Sequence, residues 1–151
     1  GIPIIDVTEA DFDRINAVNH KGTYFVLQQA AKQVRDGGRI IQISSTSSLY
    51  PAAGLGIYAP SKASGKVITE ILAQELGHRQ ISVNSVFPGP TKTPLMEKEV
   101  SKEEMERVGQ SMTLGRMGEP EDIAGVVAFL ASDEGAWVNG QQIIVNGGGR
   151  I

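Results

Sequence analysis

The chain has 151 residues, the size of one ordinary domain, and a chain of that length buries about 68–70% of the surface its unfolded form exposes. Apolar residues make up 40% and charged residues 21%, a globular balance that excludes a disordered tail or a fibrous repeat. A formal net charge of −3 without a Lys/Arg cluster argues against nucleic acid, the absence of cysteine excludes disulfides, and two distant histidines, His20 and His78, leave no zinc set.

Near the start, Thr8 followed three residues later by Asp11 forms a capping-box pattern. Apolar Phe12, Ile15, Val18, Phe25, Val26 and Leu27 follow at helical spacing, predicting one helix over 9–34 that ends before Asp36, Gly37 and Gly38. The β-branched run at 39–43 predicts a buried strand. Residues 44–56 are polar and glycine-rich, hence a loop. A helix is expected over 58–76, with Pro60 in its first turn, where a missing N–H costs little, and Gly77 as its stop.

A second strand is expected over 81–87, closed by Pro88, Gly89 and Pro90. Ser101 and Glu104 form another capping pattern and open a short helix. Residues 120–131 read as a helix with Pro120 at its first position and acids in its first turn, favourable to the helix dipole. A third strand is expected over 142–146, before Gly147. Strands alternating with helices give an α/β chain with a parallel sheet of about three strands and flanking helices. The longest apolar stretch, near 126–131, is too short to span a bilayer, and the first residues carry no basic, apolar leader. The expectation is a soluble, cytoplasmic protein with no membrane or nucleic-acid partner and no metal.

Tyr58 and Lys62, four residues apart, share a helix face, and an ammonium beside a phenol favours the phenolate. The pair suits proton transfer; equally, it is a surface lysine near a packed tyrosine. Ser44 and Ser45 follow the first strand, where open α/β sheets bind ligands, so a hydroxyl there can donate to a developing oxyanion. The alternative is a polar turn that caps itself. The segment 88–93 follows the second strand at the same sheet edge. It either admits a flat ligand close to its backbone or simply ends the strand. Gly54, Gly56 and Ala59 match a dinucleotide fingerprint in form only, since that turn must directly follow a strand.

Several ordered motifs resemble the short-chain dehydrogenase/reductase family, and within it the 3-ketoacyl-acyl-carrier-protein reductases. Ala17, Val18 and Asn19 with Gly22 look like the family's Asn-bearing helix. The run from Gly38 to Ser45 looks like its fifth strand and active-site serine, and thirteen residues separate Ser45 from Tyr58, the family's usual spacing. The run from Asn84 to Gly89 is similar to its sixth strand and Pro-Gly motif, and stretches at 115–122, 129–133 and 145–148 look like its C-terminal signature. The resemblance runs from Thr8 to Ile151 and implies a single 1–151 unit, the C-terminal part of a Rossmann-like doubly wound sheet. The family's Gly-rich turn and N-terminal dinucleotide-binding half have no counterpart.

The resemblance further implies a carbonyl–alcohol oxidoreductase using NAD(P)(H), with a small carbonyl or alcohol substrate. Tyr58 would be the general acid/base, Lys62 would hold the nicotinamide ribose and assist Tyr58, and Ser45 would polarise the carbonyl. Asn19 would anchor a relay water. Pro88, Gly89, Thr91 and Thr93 would hold the nicotinamide end, and 94–113, with Met96, Met105 and Met112, would be a substrate lid. The two long helices would build a homodimer or homotetramer. The competing expectation is a truncated, non-catalytic fragment that acts only in assembly.

Overall fold

The computed structural model describes residues 1–149; the end of the resemblance at Ile151 lies outside the described residues. Three parallel strands, β1 (Arg39–Ile43), β2 (Ser82–Pro88) and β3 (Gln142–Val145), form one sheet in the order β1-β2-β3. β1 pairs with β2 from Arg39 opposite Ser82 to Ile43 opposite Val86. β2 pairs with β3 from Ser85 opposite Gln142 to Pro88 opposite Val145. The expected α/β architecture is therefore present. β2 lies at the centre and is buried along nearly its whole length, which is why its sequence carries no polar–apolar alternation of exposure.

Among the described residues six α-helices accompany the sheet: α1 (Glu9–Asn16), α2 (Thr23–Gln33), α3 (Tyr58–Glu75), α4 (Pro94–Glu99), α5 (Lys102–Ser111) and α6 (Pro120–Ala131). The apolar faces of α2 and α3 close over the sheet through Leu27, Leu72, Ala73 and Leu76 against Ile40, Ile81 and Val83. Burying the Leu, Ile and Val side chains stabilises by roughly 1.5–3 kcal/mol each. α6 runs across all three strands and anchors there through fully buried Leu130. Arg79 secures the end of α2. It donates to the carbonyls of Ala31 (3.0 Å) and Val34 (2.6 Å) and pairs with Asp36 (2.7 Å), satisfying carbonyls a helix end leaves free.

Two asparagines, Asn84 buried in β2 and Asn139 in the loop itself, fasten the 138–141 loop to β2. The Asn84 amide donates to the Val138 carbonyl (2.7 Å), and its oxygen accepts from the Gln141 N–H (2.9 Å). The Asn139 oxygen accepts from the Val83 N–H (2.9 Å). Each replaces a backbone partner the ladder cannot supply there.

The single helix expected over 9–34 is not uniform. Between α1 and α2, residues Ala17–Gly22 form a π-helical stretch. Gly22 allows it, since a Cβ there would come within 3.3 Å of the Ala17 carbonyl oxygen. Such widened turns concentrate at functional positions. α3 ends at Glu75 with Leu76 as its C-cap, just before Gly77, where its stop was expected. The chain continues through a 3-10 turn, Gly77–Arg79, and reverses at Gln80, whose φ is 56°. Gly77 itself has no left-handed conformation; that conformation falls on Gln80. α4 was not legible in the sequence: Thr93 caps it by accepting from the Met96 N–H (3.2 Å), with Pro94 at its first position.

α6 begins at an exposed electrostatic clamp. Arg116 grips Asp122 through two contacts (2.6 and 2.9 Å), and Asp122 also accepts from the Glu119 N–H (2.7 Å). The Arg116 guanidinium, then that N–H, hold the Asp122 carboxyl far below the usual carboxylate range. A depressed carboxylate contributes stability above its unfolded value, near 3.8, and loses it as pH falls towards the folded value. Asp122→Asn is expected to lower Tm by about 2–4 °C at neutral pH. The two melting curves should converge in strong acid; a gap that persists there would contradict the clamp.

Candidate active site

Tyr58 opens α3 and Lys62 sits one turn later. The Lys62 Nζ lies 5.9 Å from the Tyr58 ring centroid, within range of a cation–π contact. The tyrosine is 37% exposed, so its ring edge reaches solvent. Lys62 is half-buried, and that burial lowers its pKa from the ordinary ammonium value. Among the described residues no carboxylate pairs with it. A desolvated ammonium without an anion keeps its three donors for hydroxyl acceptors, as a ribose offers, so the donor set fits the sugar end of a nicotinamide nucleotide.

The β1 loop is fastened to α3 and to the end of β2. The buried Ser44 hydroxyl donates to the Lys62 carbonyl (3.1 Å), tying strand to helix beside the ammonium-bearing residue. The buried Thr46 hydroxyl donates to the Pro88 carbonyl (3.1 Å), tying the loop to the 88–93 segment. Ser45, between them, is half-buried and caps a 3-10 turn, Thr46–Ser48. Its oxygen accepts from the Ser47 N–H (3.3 Å) and lies 2.8 Å from the Ser47 hydroxyl. The self-capping turn considered from sequence is thus present, with a second hydroxyl coupled to Ser45.

Asn19 lies in the π-helical stretch and donates to the Ser61 hydroxyl (3.1 Å), which itself donates to the Tyr58 carbonyl (2.7 Å). The widened turn therefore connects to the tyrosine through one buried serine. Packing beneath α3 is close: a Cβ on Gly65 would come within 2.7 Å of the Gln42 amide.

The 88–93 segment is braced from both sides. The Gly89 N–H donates to the Val145 carbonyl (2.9 Å), and the Thr91 hydroxyl donates to the Gly89 carbonyl (2.9 Å). Lys92 and Pro90 exchange backbone bonds with Gly118, each 2.9 Å. A Cβ on Gly89 would stand 2.8 Å from the Asn146 Cα, so only glycine lets the two strand ends approach this closely. The Thr93 hydroxyl serves α4 as its cap and retains its own proton for another acceptor.

Asn19, Ser45, Tyr58, Lys62 and Pro88 thus belong to segments joined by side-chain hydrogen bonds at the carboxyl edge of the sheet. Thr91 and Thr93 extend that edge towards α4. Sequence reading missed Ser61, Thr46 and Gln42. Two of them had a signal: Thr46 lies one ladder period beyond Ser44, and Ser61 lies one helical turn beyond Tyr58. The Gly54 and Gly56 pair belongs to packing. The Gly54 carbonyl accepts from the Ile2 N–H (2.9 Å), and a Cβ on Gly56 would strike the Ile4 side chain. Among the described residues no helix is long and apolar enough to cross a membrane, and no cluster of His, Cys, Asp or Glu could hold a metal ion.

A family model described as Enoyl-(Acyl carrier protein) reductase matches residues 1–149. The chain is 44% identical over 147 residues to a short-chain type dehydrogenase/reductase of Picea abies, covering 96% of this chain and 54% of that one. It is 42% identical over 147 residues to an NADPH-dependent aldehyde reductase 2, chloroplastic, of Arabidopsis thaliana, with the same coverage. Among solved structures, the angucycline C-6 ketoreductase LanV with bound NADP superposes with a TM-score of 0.89 at 38% identity, over 97% of this chain and 57% of that one. The chain spans about half the length of the curated relatives it matches.

Proposed function

The chain belongs to the short-chain dehydrogenase/reductase family, and from that premise we propose that the whole protein interconverts a carbonyl and an alcohol with NAD(P)(H). The observation that carries the proposal is the Tyr58–Lys62 pair on one face of α3, its ammonium half-buried and without an anion. The NADPH dependence of the Arabidopsis relative and the NADP bound to LanV support the cofactor class.

In this reading Lys62 holds the ribose hydroxyls, and Pro88, Gly89, Thr91 and Thr93 hold the nicotinamide end. The cofactor supplies or accepts the hydride. Tyr58 delivers the phenolic proton from its Oη to the carbonyl oxygen in reduction and takes it back in oxidation. The nearby ammonium stabilises the charge left on the phenol oxygen. Ser45 donates a hydrogen bond to the carbonyl oxygen, lowering the cost of charge accumulating there. Once Ser45 turns its proton outward, the Ser47 hydroxyl can donate to Ser45 in place of the bond they now share. Asn19, held by its bond to Ser61, anchors a water of the proton relay, and α4 with α5 forms a lid that excludes water.

The rival role in assembly has its own support. Tyr24 and Phe25 on α2 and Val67 and Ile71 on α3 are exposed apolar groups on neighbouring helices, suited to pairing with a second copy. Both roles can hold in one homo-oligomer. The deciding experiment follows NADPH fluorescence in the native polypeptide with a panel of ketones, aldehydes and β-keto esters. Carbonyl-dependent NADPH consumption is expected; none with any member of the panel would leave assembly as the surviving role.

A further inference from the structure

We infer that Thr46 is a positioning residue for the Ser45 hydroxyl. Its role presupposes carbonyl chemistry at Tyr58 and Ser45. In a parallel ladder the rungs from one strand recur every second residue. The last regular rung from β1 runs from the Ser44 N–H to the Val86 carbonyl (2.8 Å). The next would run from the Thr46 N–H to the Pro88 carbonyl. Instead the Thr46 hydroxyl makes that bond, at 3.1 Å.

The substitution has a geometric purpose. With its backbone released from the ladder, the chain turns into the 3-10 turn Thr46–Ser48, and the Thr46 carbonyl accepts from the Leu49 (2.9 Å) and Tyr50 (2.8 Å) N–H groups. Ser45 stands at the corner with an extended backbone, φ −157°. Without the hydroxyl, the corner would have only the Ser44 bonds to hold it against the sheet. With it, the loop bearing Ser45 and the turn beginning at Pro88 are fixed to each other on both sides of Ser45. Thr46 is 3% exposed, so water does not compete for the bond. Thr46 thereby sets the distance from the Ser45 hydroxyl to the nicotinamide-binding turn, and so the alignment of carbonyl and hydride donor.

The test uses the native holoprotein with NADPH and a β-keto ester as probes. Thr46→Val keeps the shape and removes the hydroxyl. It is expected to lower kcat roughly 10- to 100-fold, the scale of a misplacement near 1 Å, with an unchanged KM for NADPH and a larger isotope effect from 4-deuterated NADPH. Thr46→Ser keeps the hydroxyl and should recover most of the rate. If valine prevents folding, Thr46→Ala is measured in its place with the same expectations. A wild-type kcat and isotope effect in the hydroxyl-free variant would overturn the role. So would a serine variant as impaired as the valine one. Tyr58→Phe, run alongside, separates the two failures. An active Tyr58→Phe protein refutes the proton-transfer reading itself, whereas an inactive one beside a normal Thr46→Val refutes only Thr46.

Discussion

Replacing Tyr58 with Phe is expected to reduce turnover by about 100- to 10,000-fold, the range attributable to a positioned general acid or base, while Tm and cofactor affinity stay near wild type. The separation follows from the surroundings of the side chain. Its ring edge reaches solvent, and among the described residues no protein group bonds the phenol hydroxyl. Removing one oxygen therefore leaves no buried partner unsatisfied, which is the usual source of a large stability loss. The ring itself remains beside Lys62, so the ammonium keeps its neighbour and its donors for the ribose. Steady-state kinetics with NADPH and a turned-over carbonyl, together with a melting curve and an NADPH titration, would check it. Retained turnover would remove Tyr58 from the proton path.

Gly89→Ala is expected to act in the opposite manner, through the fold. The added methyl would stand 2.8 Å from the Asn146 Cα and 2.6 Å from its Cβ, and backbone atoms cannot step aside as a flexible side chain can. Overpacking of this kind costs about 1–3 kcal/mol, so Tm should fall by roughly 5–10 °C for a chain of this size. The displaced turn would also weaken NADPH binding, because residues 88–93 would move from the ends of β2 and β3. Gly77→Ala is the control: no atom lies within 4 Å of its Cβ position, and its Tm should stay within about 1–2 °C of wild type. Equal melting temperatures for the two alanine variants would show that the strand ends are free to separate.

The sheet was legible because β1 and β3 are short β-branched runs and β2 is closed by Pro88, Gly89 and Pro90, and α3 because Pro60 marks its first turn. The three strands appear within a residue of their expected bounds at either end. The π-helical stretch escaped because Ala17–Gly22 holds too few apolar residues to show a change of period, and periodicity does not distinguish one widened turn from a regular one. α4 escaped because a short helix after Thr93 shows no periodicity; only its cap and Pro94 betray it. At the site, the Tyr58–Lys62 spacing is one helical turn and can be read directly. The bonds from Thr46 to Pro88 and from Asn19 to Ser61 each join residues 42 apart in sequence, and nothing local to either partner encodes the other.

The π-helical stretch also constrains how this chain can vary in length. A widened turn amounts to one residue inserted into a helix. Losing one residue between Ala17 and Gly22 would restore regular winding and rotate everything beyond it by about 100°, the angle per residue of an α-helix. Either Leu27 would leave the core, or Asn19 would swing away from Ser61. Substitutions can accumulate along this segment, but a single-codon deletion cannot be absorbed there, so its residue count is under tighter restraint than the identity of most of its side chains.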